Sequence, residues 1–423
     1  MTGGLLQLAA IGAQDVYLTG KPDITFFKNV YKRYSNFSIE SKELVFIGGA
    51  SLGQRLECVI SKSGDLLKDL YLEVELPTIK QLNVTSEGTS SYVGYVNDVA
   101  IVLLEYMEIQ IGGETIDKHY TEWLDIWAEL NMKESKKKIY NEMTGHYNTR
   151  SALQVNAIST NTKNDNTRYY IPLRFWFNRN PGLAIPLISL QYHDVKLIVK
   201  FRKPEEIVIS DKNVTNLYDT EGNPLDMTRC VVWADYIYLD THERRQFAQK
   251  SHEYLIEQTQ YTSKSITNGV DITHIDLHFN HPINYLVWVM QPNAYITTDA
   301  INGNRFLEYT SSDGDSFESA TVQLSGKNRF SPRTADYFRL MQPYQHFDRG
   351  PSKYIYVYSF AIDPTGYQPS GTCNFSRLDE PKLTLTFNRN HVMYDNERTF
   401  KVFGVNYNIL RIMSGMGGLA FSN

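Results

Sequence analysis

Three short blocks of this sequence occur twice, in the same order, and that duplication constrains the fold more than any other feature. Met107-Glu108-Ile109-Gln110-Ile111-Gly112-Gly113 has a counterpart in Ala320-Thr321-Val322-Gln323-Leu324-Ser325-Gly326. Phe177 with Pro181-Gly182 is echoed by Phe360 with Pro364-Thr365-Gly366, and Lys196-Leu197 by Lys382-Leu383. The spacing starts at about half the 423-residue chain and then shrinks, as it must if the first copy carries extra residues. The lead block reads as a strand and a turn. Met107, Ile109 and Ile111 alternate with Glu108 and Gln110, the period of a strand with one face buried. The paired glycines accept the positive φ of a tight hairpin. A chain of this length divides naturally into two domains of roughly 200 residues. Two copies of one all-β unit follow.

The same alternation recurs at Leu70–Leu76, Val195–Phe201, Ile275–Phe279 and Leu383–Phe387. The 29 Tyr and 20 Phe suit half-buried pleated strands. Polar segments at Gln81–Ser91, Asn156–Thr167, Ser210–Pro224 and Asn302–Ser319 read as long surface loops between strands. Many strands with long crossing loops favour a jelly-roll or Greek-key sandwich over a propeller, whose period is shorter. One helix interrupts the pattern, from Thr121 to Met143, with Trp123, Ile126, Trp127 and Leu130 on one stripe that must pack against something. It is expected as an insertion in the first unit, with the two sandwiches meeting near Asp240–Gln249.

Charge and cysteine usage remove several classes. A net charge of −5 supplies no basic field for nucleic acid, and the run Lys133, Lys136–Lys138 lies among glutamates as a solvated helix face. Cys58, Cys230 and Cys373 are scattered, which argues for a reducing compartment rather than a disulfide framework or zinc site. The apolar stretch Leu5–Ile11 has no preceding Lys or Arg, unlike a signal peptide. Runs such as Val99–Leu104 and Tyr285–Met290 are too short to span a bilayer. The expectation is a soluble protein made in the cytoplasm.

The candidate sites are weak. His274, Asp276 and His278 share a strand face, but the outer two lie about 13 Å apart at ~3.3 Å per residue, too far for one ion. Gly48–Gly53 lacks the G-K-[ST] ending of a phosphate loop and reads as a strand connection. Gly415–Gly418 reads as a chain-end loop. His242-Glu243-Arg244-Arg245 sits at the domain junction and suggests ion pairing between domains. Of the N-x-S/T sequons, Asn83 and Asn213 lie in polar loops and are the possible glycosylation sites, whereas Asn36 and Asn374 adjoin blocks expected to be buried. No catalytic constellation, cofactor site or metal site assembles, so the expectation is that the protein is not an enzyme.

Several stretches resemble the major capsid proteins of nucleocytoplasmic large DNA viruses, most of all those of algal viruses. They are Gly3–Leu8 with Gly12–Gly20, Ile24–Lys28 with Tyr31–Tyr34, Pro181–Ile188 with Leu190–His193, Asp235–Thr241, His252–Gln258, Gln368–Arg377 and Asn406–Ala420. The resemblance runs end to end. It implies an all-β fold of two consecutive eight-stranded jelly-roll β-sandwiches (a double jelly roll) with a helical insertion in the first. The corresponding divisions are an N-terminal arm (1–23), a first jelly roll (24–240) and a second (241–423). It further implies a homotrimer forming a pseudo-hexagonal capsomer that tiles an icosahedral shell. The expected partners are further copies of the chain, neighbouring capsomers and minor capsid proteins. The apolar residues Leu5, Leu6, Leu8, Val16, Tyr17 and Leu18 of the amino arm must be buried against something, and a neighbouring subunit, a minor capsid protein or the internal viral membrane is the expected contact. No specific nucleic acid is implied, and the location is the virion after assembly in the host cytoplasm. The carboxyl end, Ile409–Phe421, is expected to complete the second sandwich. The competing readings are a minor capsid paralogue, a carbohydrate-binding sandwich and a cupin-like metalloenzyme, the last disfavoured by the histidine spacing.

Overall fold

A computed structural model describes residues 2–80, 93–147, 167–211, 217–309, 314–390 and 394–422. Residues 1–37 form one compact unit and 38–423 another. The first holds two short helices, α1 (Gly3–Ala9) and α2 (Val16–Thr19), neither of which buries a side chain.

Among the described residues, and apart from a few short additional strands, two sets of eight strands build the two rolls. In chain order the first set is β1 (Phe37–Leu44), β2 (Arg55–Val59), β3 (Leu66–Leu76), β4 (Leu104–Ile111), β5 (Glu114–Tyr120), β6 (Thr167–Pro172), β7 (Val195–Phe201) and β8 (Arg229–Leu239). The second is β9 (His252–Ile266), β10 (Ile272–Asp276), β11 (Pro282–Pro292), β12 (Ser319–Leu324), β13 (Lys327–Asn328), β14 (Tyr356–Ser359), β15 (Lys382–Thr386) and β16 (Arg398–Met413). The first set forms sheets ordered β1-β8-β3-β6 and β2-β7-β4-β5, and the second β9-β16-β11-β14 and β10-β15-β12-β13. The two orders are identical once eight is added to each label. This is the double jelly roll.

The duplicated blocks occupy equivalent places. Gly112 and Gly113 turn β4 into β5 at φ 61° and 88°, and Ser325 and Gly326 turn β12 into β13 at φ 48° and 75°. Both are tight turns with positive φ at both central positions. Gln110 Nε2 donates to Thr115 Oγ1 at 3.1 Å across the first hairpin, and Gln323 Nε2 to Asn328 Oδ1 at 2.9 Å across the second. On the other side Gln110 lies opposite Lys196, and Gln323 opposite Lys382.

Inward side chains of each pair of sheets make a core. Leu72, Val74, Ile109, Leu197 and Val232 belong to the first, and Leu286, Trp288, Val322, Leu383 and Val402 to the second. Outward positions are polar where the strand faces solvent. His274, Asp276 and His278 are exposed while Thr273, Ile275 and Leu277 are buried.

The expected single helix is two. α3 (Thr121–Asn131) ends where Met132 and Lys133 are extended, and α4 (Glu134–Thr144) follows. The apolar stripe stops at Leu130 and Met132, and only Thr144 is buried on α4, so nothing holds a continued straight helix against the protein. The segment Asn302–Ser319 is not simply a surface loop, because Phe306, Leu307, Tyr309 and Phe317 are buried.

Candidate functional site

The two rolls exchange pieces along a seam. On β11, Leu286, Trp288 and Met290 point into the second core while Tyr285, Val287 and Val289 point the other way. That outer row meets Trp123, Ile126 and Leu130 of α3, a helix from the first roll, with Phe403 and Val405 of β16 alongside. The stripe found in the sequence therefore packs on the opposite roll. Loop residues Phe306 and Leu307 of the second roll in turn complete the first core. There Asn304 Nδ2 donates to the carbonyls of Glu205 and Val208 at 2.7 and 2.9 Å, and Arg202 lies 3.9 Å from the Phe306 ring centroid.

Beside the apolar stripe α3 carries Glu122, Asp125 and Glu129, all buried. Each meets a donor from the second roll. Lys401 Nζ lies 2.5 Å from Glu122 Oε1, Lys353 Nζ donates to both Asp125 oxygens at 2.7 and 2.8 Å, and Ser352 N and Oγ donate to Glu129 Oε2 at 2.8 and 2.7 Å. Burial opposes ionisation at all three acids. At Glu122 the Lys401 ammonium outweighs it, and at Glu129 the Ser352 donors do, so both pKa values fall below the ordinary glutamate value. At Asp125 burial wins and pushes the carboxyl up to about 6, against Lys353 and with Asp98 adding to the rise. Burial also works against the Lys353 ammonium, but Asp125, then Asp98 and Glu129, more than offset it, and its pKa is raised. The two partners thus shift in opposite senses for stability: burial dominates at Asp125, whereas at Lys353 the carboxylates of Asp125, Asp98 and Glu129 together outweigh it. The ammonium gains and Asp125 is the weak member.

Two edge strands close the seam. Asp117 Oδ1 on β5 accepts from Thr259 N on β9 at 3.0 Å, and Gln258 Nε2 donates to the Ile116 carbonyl. The carboxyl end adds to it. Met416–Leu419 pairs with β16, as expected for completing the second sandwich. Yet Tyr192 N donates to Gly415 O at 2.9 Å, and Leu410 and Ile412 lie in the first core. The segment serves both rolls, and a Cβ at Gly417 would come within 2.7 Å of Leu190.

Asn83 and Asn213 lie outside the described residues. Asn36 and Asn374 are themselves exposed; beside them Phe375 is buried but Phe37 is half exposed, and the Asn374 side chain accepts from Ser376 N at 3.0 Å. His274 Nδ1 sits 2.9 Å from Thr384 Oγ1, and Asp276 3.9 Å from Lys382 Nζ, so this face is engaged with the neighbouring strand. Among the described residues no group of three or more His, Cys, Asp or Glu is placed to hold a metal ion. Gly48–Gly53 connects β1 to β2, with the Asp226 carboxylate accepting from Ser51 Oγ and Leu52 N. His242–Arg245 lie on α5 (Thr241–Gln249), between the two sets of strands, and Arg244 pairs with Asp65 of the first roll at 3.0 Å. The expected ion pairing at the junction is that contact.

Within the amino-terminal unit Leu5, Leu6, Leu8, Tyr17, Leu18, Phe26 and Phe27 are all exposed. Among the described residues no helix is long and apolar enough to cross a membrane.

Residues 25–240 match the family described as major capsid protein N-terminus, and residues 243–418 match large eukaryotic DNA virus major capsid protein. The chain is 41% identical to the major capsid protein of Pyramimonas orientalis virus and 38% identical to that of Paramecium bursaria Chlorella virus 1, each over the full length of both chains. The crystal structure of PBCV-1 VP54 superposes with a TM-score of 0.77 at 34% identity, covering 94% of this chain and 100% of that one. The Faustovirus major capsid protein shares the fold at 12% identity, with a TM-score of 0.75 over 95% of this chain and 94% of that one. Two matched rolls locked along one seam, and full-length identity to proteins of this kind, place the chain in the major capsid protein family of large eukaryotic DNA viruses, as a structural component of the capsid.

Proposed function

We propose that three copies of this chain form a capsomer of pseudo-hexagonal outline, and that such capsomers tile an icosahedral shell. The observation that carries this reading is the equivalence of the two rolls: two like blocks per chain, times three, approximate the six corners that pack a flat facet. The seam supports it by fixing the angle between the blocks before assembly. The working divisions of the chain are an arm (1–23), a first jelly roll (24–240) and a second (241–423). The role is structural, without a catalytic step, and assembly takes place in the host cytoplasm, consistent with three free cysteines. Size-exclusion chromatography with light scattering tests the trimer, and a monomer at micromolar concentration across salt and pH would defeat it.

The arm is the docking element of this reading. Exposed leucines and aromatics in such number mark an interaction surface, and its occupant is a neighbouring subunit, a minor capsid protein or the internal membrane. Deleting Met1–Gly20 should leave soluble trimers that fail to build shells. Unfolding of the shortened chain would instead assign the arm to its own subunit's core. Asn83 and Asn213 are the candidate glycan acceptors, to be read from the intact mass of protein taken from virions.

A further inference from the structure

One cleft on the seam holds more positive charge than its surroundings neutralise. Arg174 and Arg179, in the connection that follows β6, both approach the indole of Trp127 on α3, with guanidinium carbons 4.5 and 5.7 Å from the ring centroid. Arg179 is paired with Glu257 of β9. Glu257 is thereby occupied. Among the described residues Arg174 has no ion-pair partner, and the nearby Asp69 is bound to Lys68 at 2.8 Å. Burial, with Arg179 adding to it, pulls the Arg174 pKa below the ordinary arginine value.

The two arginines open into a cleft of about 430 Å3, walled on the far side by Leu255, Tyr285 and Tyr407 of the second roll. Lys136 of α4, exposed at the rim, adds a third cation, and Asp348, also exposed, adds one acid, so the half-buried pair Arg174 and Arg179 carries the unshielded charge. Like charges held together away from bulk water are costly unless an anion shares them. A guanidinium also offers its N–H groups in a fork that matches two oxygens of one acid.

We propose that this cleft is a binding site for an oxyanion, a phosphate or carboxylate group, held by Arg174 with Lys136 at its mouth. The site goes beyond the shell-building role and does not depend on it. Its walls come from both rolls, so an occupant clamps them together and stabilises the folded chain by mass action.

The test is thermal unfolding of the full chain at fixed pH in inorganic phosphate or in citrate, against sodium chloride of equal ionic strength, with isothermal titration of the same anions. A rise of roughly 1–3 °C at about 100-fold excess over Kd is expected. Phosphate alone, citrate alone or both identifies the preferred group. Arg174→Gln should abolish the rise, and Lys136→Gln should weaken binding several-fold. The proposal is overturned if neither anion exceeds chloride, or if Arg174→Gln binds as tightly as the parent. Should that variant not fold, phenylglyoxal modification of Arg174 in the parent, read by peptide mass, decides instead. Protection by the anion supports the site, and equal labelling with and without it overturns the site.

Discussion

Strands β3 and β11 hold the same position in their two rolls, yet their sequences are written differently. Leu66–Leu76 is interrupted by less buried residues at Lys68, Asp69, Tyr71 and Glu75, whereas Ile283–Gln291 is buried at every residue. The reason is what covers the second face. Over β3 that face carries Tyr71, Glu73 and Glu75, with Trp233 Nε1 donating to Glu73 at 2.7 Å and Arg168 and Arg229 nearby. Over β11 it carries the α3 helix. One strand has a core and a polar surface, the other has two cores. A duplicated fold thus became asymmetric by the placement of a single helix.

Four measurements can break or sharpen that contrast. The largest effect is expected from Trp123→Ala, which empties a fully buried site in the seam and should cost about 4 kcal/mol in chemical denaturation. The matching Trp233→Ala on the outer face of the first roll, only partly buried, should cost less than half as much. Equal costs would mean that the seam is not a second core.

Next, Lys401→Met leaves Glu122 buried without its partner and should cost about 3 kcal/mol, while Glu122→Leu with Lys401→Met together should recover most of the loss. A double variant as unstable as the single one would refute the pairing argument.

The third is a pH profile. Asp125 titrates near 6 when folded and near 3.8 when unfolded, so between those values the folded chain binds the extra proton. Stability from this group is therefore present below pH about 4 and lost as pH rises through about 6. Measured against Asp125→Asn, the parent should lose on the order of 2–3 kcal/mol across that window. A constant difference would show that Asp125 does not titrate there.

The smallest effect tests the equivalence itself. Gly113 and Gly326 hold matching turn positions at φ 88° and 75°, each with open space where a Cβ would go. Each change to Ala should cost about 1 kcal/mol, and the two costs should agree within experimental error. Costs that differ several-fold would separate the two hairpins.

Local pattern alone made much of this readable. Period-two runs marked the strands, the turn residues marked both hairpins, and the Gln110 and Gln323 blocks marked their equivalence, because each depends on a few neighbouring residues. The stripe on Trp123, Ile126 and Leu130 announced a buried helix face, and the unbroken run Tyr285–Met290 carried the matching signal. That run is too short to span a membrane, and nothing local joins it to the helix. Periodicity reports that a side chain is buried and is silent on what buries it.

Amino-acid order by itself determined two all-β units, their strand faces and turns, and the resemblance to viral capsid proteins. Tertiary structure alone decided that α3 crosses to the other roll, that Phe306 and Leu307 return the exchange, and that the carboxyl end serves both. It also decided the meetings of Glu122 with Lys401 and of two arginines with one tryptophan. Those contacts join residues up to 279 positions apart. Their partners are selected by how two finished surfaces fit and by which buried charges can be neutralised there, which no window along the chain contains.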